Sequence, residues 1–141
     1  MTDFLEFFAR FLSDLMRGAG ITLLLTAEGL LAGFVLGLLP AYARVYGNKF
    51  WRGLAVGYIE LFRGTPLLMQ LFIIYIGLPG PGITLSRELS VFLLLGFNSG
   101  AYQAEYLRGS ILAIGDDQMM AGRAIGMPRF RVIWYIVLPQ A

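Results

Sequence analysis

The strongest constraint on the fold is a long apolar stretch from Ile21 to Ala43, in which Glu28 is the single charged residue and Pro40 the single proline. An α-helix rises about 1.5 Å per residue, so a stretch of this length can cross the hydrocarbon core of a bilayer. The whole chain is similar in character, because 57% of its residues are hydrophobic and only 14% are charged. This composition is unusual for a soluble domain and predicts an all-α integral membrane protein.

Two further apolar stretches predict two more membrane helices. The later one runs from Leu89 to about Leu107, and its polar residues are crowded into its second half. The middle one is short from Pro66 to Leu78, and extending it back to Gly53 brings in two charged residues. Because proline removes a backbone donor and clashes with the preceding turn, we expect this second helix to be broken or bent near residues 64–66.

The distribution of basic residues predicts the orientation. Arg44, Lys49 and Arg52 lie in the first predicted loop, whereas the second contains only Arg87. Cytoplasmic loops are enriched in lysine and arginine, so the first loop is predicted to face the cytoplasm and the amino terminus the outside. Three spans then also place the basic tail in the cytoplasm. The arginines of that tail are Arg108, Arg123, Arg129 and Arg131.

The first twenty residues differ from a cleaved signal sequence, because charged residues interrupt any apolar core. The charged residues recur at helical spacing, and apolar residues line another face. The charged positions are Asp3, Glu6, Arg10, Asp14 and Arg17, and the apolar ones are Phe4, Phe8, Phe11 and Leu15. Residues 1–20 are therefore predicted to form an amphipathic segment on the outer face of the membrane.

The composition also limits the chemistry of the chain. It has no cysteine and no histidine, which removes thiol nucleophiles, imidazole bases and the usual zinc or haem ligands. The only lysine, Lys49, lacks the neighbouring glycines and hydroxyl of a phosphate-binding loop. A net charge of +2 with scattered basic residues does not indicate nucleic-acid binding. We expect no enzymatic activity, no catalytic residue, no metal site and no cofactor in this chain.

Inside the first span, Gly29, Gly33 and Gly37 repeat at intervals of four residues. Such a face has no side chains, so another helix can approach it closely. This spacing favours a packing seam within a helical bundle, although glycine is also common in membrane helices by chance.

Three motifs then occur in a fixed order. The first runs from Glu60 to Leu68, the second from Asn98 to Gly109, and the third from Gln118 to Gly126, followed by Ile136 to Ala141. Together they closely resemble permeases of ABC importers, in the polar amino-acid uptake family of the histidine, glutamine, glutamate, arginine and opine type. The resemblance covers the chain from about residue 17 onward.

The resemblance implies a type I ABC importer permease fold, of which this chain would supply the N-terminal part with about three transmembrane helices. Residues 21–141 would be a partial permease domain, and residues 109–138 its cytoplasmic coupling loop. In the family, the string at Leu138 to Ala141 leads into further membrane helices, so the chain is expected to be truncated at its carboxyl end.

The residues that the resemblance assigns to coupling with the ATPase are Met120, Ala121, Gly122, Gly126, Ile136, Leu138 and Pro139. The family usually begins this loop with glutamate, alanine, alanine, so Met120 stands where a docking carboxylate is expected. From the residues alone, a glycine at 126 shortly before Pro128 is also typical of an ordinary helix cap.

The implied function is that of a permease subunit of an ATP-driven importer, translocating polar amino acids across the bacterial cytoplasmic (inner) membrane as a multi-pass protein. The implied partners are an ATP-binding cassette subunit, which would bind ATP and magnesium, and a second permease subunit, identical or different. A periplasmic or lipid-anchored solute-binding protein and membrane lipid complete the set.

Polar residues within membrane helices are the first candidates for a translocation path, because burying them in lipid is costly. Asn98, Tyr102 and Glu105 fall at i, i+4 and i+7 of a helix and therefore share a face, and Gln70 is a further candidate. Against a pathway role, Glu105 lies three residues before Arg108 and could form an exposed ion pair with it.

The remaining residues of the first motif are interpreted as structural. They are Glu60, Arg63, Gly64, Thr65 and Pro66. Glu60 and Arg63, at i and i+3, are expected to pair beside the membrane and anchor the bent helix, or to be solvated at the headgroup level.

Two other functions remain open from the sequence. A small structural membrane protein or an inactive permease fragment would use the same glycine seam for helix packing alone. A passive channel is less favoured, because no ring-forming acidic motif or carbonyl-rich filter motif is recognisable.

Overall fold

The computed structural model describes residues 2–79 and 81–141, with side chains described from residue 11 onward. Its helices are α1 (Thr2–Tyr46), α2 (Lys49–Gly64), α3 (Leu67–Phe72), α4 (Arg87–Ile114), α5 (Asp116–Ala124), α6 (Arg129–Val132) and α7 (Leu138–Gln140). Wider π-helical turns extend α3 over Ile73–Gly77 and join α6 to α7 over Ile133–Val137. The described part of the chain contains no strand, which confirms the all-α prediction.

Local sequence explains where the longer helices begin. The side chain of Asn48 accepts a hydrogen bond from the Trp51 backbone N–H at 3.1 Å and caps α2. Ser86 does the same for α4, accepting from the Leu89 N–H at 3.2 Å. Such caps satisfy backbone donors that the first turn of a helix leaves unpaired.

The predicted break in the middle helix is confirmed. The helix axis turns by 102° between α2 and the segment Leu67–Gly77. Thr65 is extended, with φ −113° and ψ 140°, as expected for a residue that precedes a proline. Pro66 then occupies the N-cap position of α3, where its missing N–H costs no helical hydrogen bond.

The glycine seam of α1 packs directly on α4, which confirms the predicted close helix packing. A methyl group added to Gly33 would lie 2.5 Å from Ser99 Oγ, and one added to Gly37 would lie 2.9 Å from the Gly100 carbonyl oxygen. Gly29 faces Leu95 in the same way, at 3.0 Å. Any larger side chain at these positions would push the two helices apart.

By length and hydropathy, α1 from Phe11 to Tyr46 is the only described helix able to cross a membrane by itself. The bent pair Lys49–Gly64 and Leu67–Gly77 could make a second span. Helix α4 does not meet the same criterion, because its second half is polar. The predicted number of three spans therefore stays a prediction.

The amphipathic segment predicted for residues 1–20 is continuous with the first span. Helix α1 runs without a break from Thr2 to Tyr46, and residues 11–20 are exposed. The first charged and aromatic positions of the segment, at residues 3, 4, 6, 8 and 10, have side chains outside the described residues. The location of this segment on the outer face remains a prediction.

Candidate functional site

Polar side chains of α3 and α4 converge on the break between α2 and α3. Gln70 Nε2 donates hydrogen bonds to the carbonyl oxygens of Phe62, at 2.8 Å, and Thr65, at 3.0 Å, and to Thr65 Oγ1 at 2.8 Å. Asn98 Nδ2 donates to the Phe62 carbonyl and to Gln70 Oε1, both at 3.2 Å. We call these four residues, Phe62, Thr65, Gln70 and Asn98, the bend cluster.

The bend cluster has a clear physical cause. A helix that ends leaves its last carbonyl groups without intrahelical partners, and lipid offers no water to replace them. The amides of Gln70 and Asn98 supply the missing donors, and Gln70 is only 7% exposed. The structure thus brings together two residues predicted for the translocation path, and both also stabilise the broken helix.

Asn98 also lines a groove of about 370 Å³ between α1 and α4. The other polar residues of its lining are Thr22, Thr26 and Ser99, and the rest of the lining is aliphatic or glycine. Pockets of about 300–1,000 Å³ with a mainly apolar lining and a few polar groups are typical of small-molecule sites. The groove is therefore large enough for a small polar solute.

A second group of polar residues surrounds Glu105. Its carboxylate accepts hydrogen bonds from Arg44 Nη1 of α1 at 2.7 Å, and from Arg108 Nη2 and Nε at 2.9 and 3.0 Å. Arg63 Nη1 of α2 lies 4.0 Å from Glu105 Oε2. We call these four residues the charge cluster. It connects α1, α2 and α4 through one carboxylate.

The surroundings of Glu105 differ from those of an isolated surface pair. The pair with Arg108 is present, but the Glu105 side chain is only 15% exposed, because Arg44 covers it from α1. Partial burial strengthens the attraction between the charges and makes the loss of one partner costly. The charge cluster therefore stabilises the packing of the three helices.

Of the two alternatives left open for Glu60 and Arg63, the structure does not form the i, i+3 pair, and the exposure of Glu60 fits the solvated one. Glu60 is exposed, and Arg63 instead lies over the ring of Tyr102, with its guanidinium carbon 5.2 Å from the ring centroid. The i, i+3 spacing permits a pair within α2, but α2 packs against α4 and brings Arg63 to Tyr102 and Glu105. Tertiary packing has overridden the local pairing.

The face of α4 predicted from the spacing of Asn98, Tyr102 and Glu105 points towards the bent helix. Asn98 contacts Phe62, and both Tyr102 and Glu105 lie near Arg63. The shared face is confirmed, whereas its part in translocation stays a prediction.

Sequence reasoning missed two residues that connect these helices, Arg44 of the charge cluster and Tyr58 of α2. In the sequence predictions, Arg44 serves only to orient the first loop. Its position at the end of an apolar span is the one feature that could have indicated a buried partner such as Glu105. Tyr58 donates a hydrogen bond from its hydroxyl to the Phe97 carbonyl at 2.7 Å, which ties α2 to α4. No pattern in the sequence distinguishes Tyr58 from the other aromatic residues.

The terminal lobe, which we define as residues 115–141, packs on the ends of α1 and α4. Its Val132 and Val137 are buried together with Ile111 of α4, and Val45 and Tyr46 of α1 cover this core. The Arg129 guanidinium carbon also lies 5.5 Å from the Tyr46 ring centroid. A displacement of the lobe would therefore be transmitted to both helices.

Gly126 ends α5 as a helix cap. Its φ is +84°, a conformation that side chains other than glycine rarely adopt. Its N–H donates to the Arg123 carbonyl at 3.0 Å, and the Met127 N–H donates to the Gly122 carbonyl at 3.1 Å. This is the hydrogen-bond pattern of a Schellman motif. The capping interpretation of Gly126 is thus confirmed, and a coupling role stays a prediction.

Gly122 is required for the internal packing of the lobe. A methyl group added there would lie 2.7 Å from Val132 Cγ2 and 3.1 Å from Ile136 Cδ1. Ile136 and Leu138 are half-buried in the same core. These three residues, predicted for ATPase coupling, therefore hold the lobe together from within.

The other residues predicted for coupling are exposed. They are Met120, Ala121, Gly126 and Pro139. Large apolar side chains nearby are exposed as well, including Ile125 at 77% and Trp134 at 54%. Such exposed apolar side chains are available to take part in an interaction surface.

Comparison with known families gives one match that extends over most of the chain. Residues 29–141 match the family described as "Binding-protein-dependent transport system inner membrane component". The match includes the glycine seam, the bend cluster, the charge cluster and the terminal lobe.

Individual relatives agree with this match. The chain is 37% identical over 129 residues to the glutamine transport system permease protein GlnP of Escherichia coli (strain K12), covering 90% of this chain and 59% of the relative. It is 37% identical over 127 residues to the L-cystine transport system permease protein TcyB of Bacillus subtilis (strain 168), covering 90% of this chain and 54% of that protein. The chain thus spans less than two thirds of the length of these relatives.

A solved structure is also similar in fold. It is described as "Crystal structure of an amino acid ABC transporter with histidines", and it superposes with a TM-score of 0.77 at 34% sequence identity. The superposition covers 92% of this chain and 64% of the other.

Proposed function

The chain belongs to the family of binding-protein-dependent transport system inner membrane components, and from that premise we propose that it acts in a permease subunit of an ATP-driven importer. The proposed cargo is a polar amino acid, because relatives at 37% identity are permeases for glutamine and for L-cystine. Because the chain spans about 59% of the length of the first of these relatives, the activity belongs to the longer protein.

The observation that carries the proposal is the arrangement of the terminal lobe. Its outer surface presents Met120, Ile125 and other exposed apolar side chains, while its inner surface packs on the ends of α1 and α4. An importer needs such an element, because the chain itself has no nucleotide-binding motif and must receive its driving force from another subunit. In our proposal Met120, Ala121, Gly126 and Pro139 contact the ATPase, and Gly122, Ile136 and Leu138 keep the lobe rigid.

The proposed path for the solute follows the face of α4 that carries Asn98, Tyr102 and Glu105, with Gln70 at the bend. The groove beside Asn98 supports this assignment, since it combines an apolar wall with hydroxyl and amide groups. Residues of the first motif, such as Gly64 and Pro66, form the break that places Gln70 against Asn98.

The proposed membrane arrangement has three spans, with the amino terminus outside and the terminal lobe in the cytoplasm. Its support is the basic first loop and tail, together with the amphipathic start of α1. The location is the cytoplasmic membrane of a bacterium, since relatives of this kind come from bacteria.

The proposed partners are an ATP-binding cassette subunit that binds ATP and magnesium, a second permease subunit and a solute-binding protein on the outer side. The test is to purify the full-length protein with its genomic neighbours and to measure ATP hydrolysis in liposomes, with and without a binding protein loaded with candidate amino acids. We expect hydrolysis to rise when the cognate amino acid is present. A stable protein that associates with no ATPase would favour a structural membrane protein or an inactive permease fragment instead.

A further inference from the structure

The charge cluster contains more positive charge than its one carboxylate neutralises. Three arginines surround Glu105, so the four side chains together carry a net charge of +2. Arg44 and Arg108 hold the carboxylate with short hydrogen bonds of 2.7 to 3.0 Å. Arg63 approaches it only to 4.0 Å, which is beyond hydrogen-bond distance. One of the two surplus positive charges is therefore carried by Arg63, and the other is shared by Arg44 and Arg108 around Glu105.

Arg63 also has hydrogen-bonding capacity to spare. Its side chain is 42% exposed, and among the described residues its guanidinium has only the 4.0 Å contact with Glu105 and the contact with the Tyr102 ring. The ring of Tyr102 holds its guanidinium at 5.2 Å by a cation–π contact, which does not use the N–H donors. A positioned cation with free donors, on an α2–α4 surface predicted to line a solute path, is suited to bind an anion.

We propose that Arg63 binds the carboxylate of the transported amino acid. This inference rests on the importer function proposed above. The guanidinium fork matches a carboxylate in two parallel hydrogen bonds, and the net charge of the cluster favours a second carboxylate beside Glu105. Asn98 lies one turn before Tyr102 on the same face of α4, so the polar end of the solute would face the amide and ring of these residues.

The experiment uses the full-length protein assembled with its ATPase and second permease subunit in nanodiscs of neutral phosphatidylcholine. Uptake assays in liposomes with the binding protein first identify the carried amino acid among labelled L-glutamine, L-glutamate, L-histidine, L-arginine and L-cystine. Binding of that amino acid and of its α-carboxamide derivative is then measured in nanodiscs without the binding protein. Removing the binding protein ensures that its own selectivity does not contribute.

The wild-type complex is expected to bind the amino acid at least about tenfold more tightly than the carboxamide. Arg63→Gln should abolish this preference and leave carboxamide binding unchanged. Arg63→Lys keeps the charge without the fork and should retain part of the preference. Arg52→Gln removes an exposed arginine of the same helix and is the matched control, which should bind like wild type.

An Arg63→Gln complex that still prefers the carboxylate overturns the inference, as does a wild type that binds both compounds equally. Failure of both Arg63→Gln and Arg63→Lys to assemble would make Arg63 structural and also overturn it. The uptake assay separates the two proposals. Without ATP-dependent uptake by the wild type, the importer function fails. With uptake and an unchanged preference in Arg63→Gln, only the carboxylate assignment fails.

Discussion

The bend cluster and the charge cluster lie on the same face of α4, but they differ in their hydrogen bonds. The bend cluster uses all its side-chain amide donors internally, whereas the charge cluster does not use those of Arg63. In the bend cluster, the amide donors of Gln70 and Asn98 are all directed at oxygens of the cluster itself. In the charge cluster, Glu105 is saturated by Arg44 and Arg108, whereas Arg63 keeps its donors free. A polar residue in a membrane helix is thus better evidence for a ligand when its own hydrogen bonds are unused.

This comparison separates stability from recognition. The bend cluster stabilises a broken helix whose carbonyl groups would otherwise be unpaired in lipid. The charge cluster connects three helices and still presents the guanidinium of Arg63. Substitutions in the two clusters should therefore differ in whether they change unfolding, solute binding or both. The expected loss of stability decreases from Glu105 through Gln70 and Asn98 to Arg63.

The largest loss of stability is expected for Glu105→Gln. The change removes the one negative charge that holds three arginines together, and it should lower the free energy of unfolding by about 2–3 kcal/mol, since the site is partly buried. Thermal unfolding of the detergent-purified protein measures this. Glu60→Gln, at an exposed position without an ion pair to Arg63, is the control and should change little. Equal effects of the two substitutions would contradict the assignment.

Gln70→Leu should come next. Leucine at this buried position cannot donate to the Thr65 carbonyl, leaves the Phe62 carbonyl to Asn98 alone and removes the acceptor that Gln70 offers to Asn98, so the change should cost about 2 kcal/mol. The same unfolding assay applies, with Gln118→Leu at an exposed position as the control. Unchanged stability in Gln70→Leu would show that the bend does not depend on its polar cluster.

Asn98→Leu should have a smaller effect on stability and a larger one on transport. Its two hydrogen bonds are long, at 3.2 Å, and Gln70 still serves the Phe62 carbonyl, so about 1 kcal/mol is expected. Because Asn98 also lines the groove, uptake should fall more than assembly with the ATPase. Wild-type uptake kinetics in this variant would remove Asn98 from the solute path.

Arg63→Gln should have the smallest effect on unfolding, below about 0.5 kcal/mol, because exposed ion pairs without a hydrogen bond contribute little. Calorimetry or thermal unfolding checks this value, with Arg52→Gln measured in parallel as the control. A loss as large as that of Glu105→Gln would mean that Arg63 belongs to the structural part of the charge cluster, and the contrast between the clusters would disappear.

Local patterns predicted the local features of the fold. Pro66 predicted the break, and the spacing of Gly29, Gly33 and Gly37 predicted a close helix contact, because both effects depend on backbone geometry within one helix. The spacing of the α4 residues likewise predicted which of them share a face.

Contacts between distant segments could not be predicted in the same way. Arg44 and Glu105 are 61 residues apart, and nothing in either neighbourhood specifies the pairing. The choice between a Glu60–Arg63 pair and two separate side chains stayed open for the same reason, since the packing of α4 on α2 brings Arg63 to Tyr102. The packing role of Gly122 depends on Val132 in a later helix. The coupling residues rest on the family resemblance. It indicates which positions belong to the loop, but not which of their side chains are buried and which are exposed.

The most direct test of importer function is site-directed crosslinking between the terminal lobe and an ATPase subunit. These 141 residues contain no cysteine, so once any cysteine in the rest of the full-length protein has been replaced, single cysteines can be introduced without competing thiols. Met120→Cys, at a side chain that is 60% exposed, should crosslink to the ATPase in membranes, whereas Leu39→Cys, at a side chain 77% exposed on α1, should not. If Met120→Cys does not crosslink in a complex that imports amino acids, the lobe is not the coupling element. If no ATPase associates with the protein at all, it is not an importer permease.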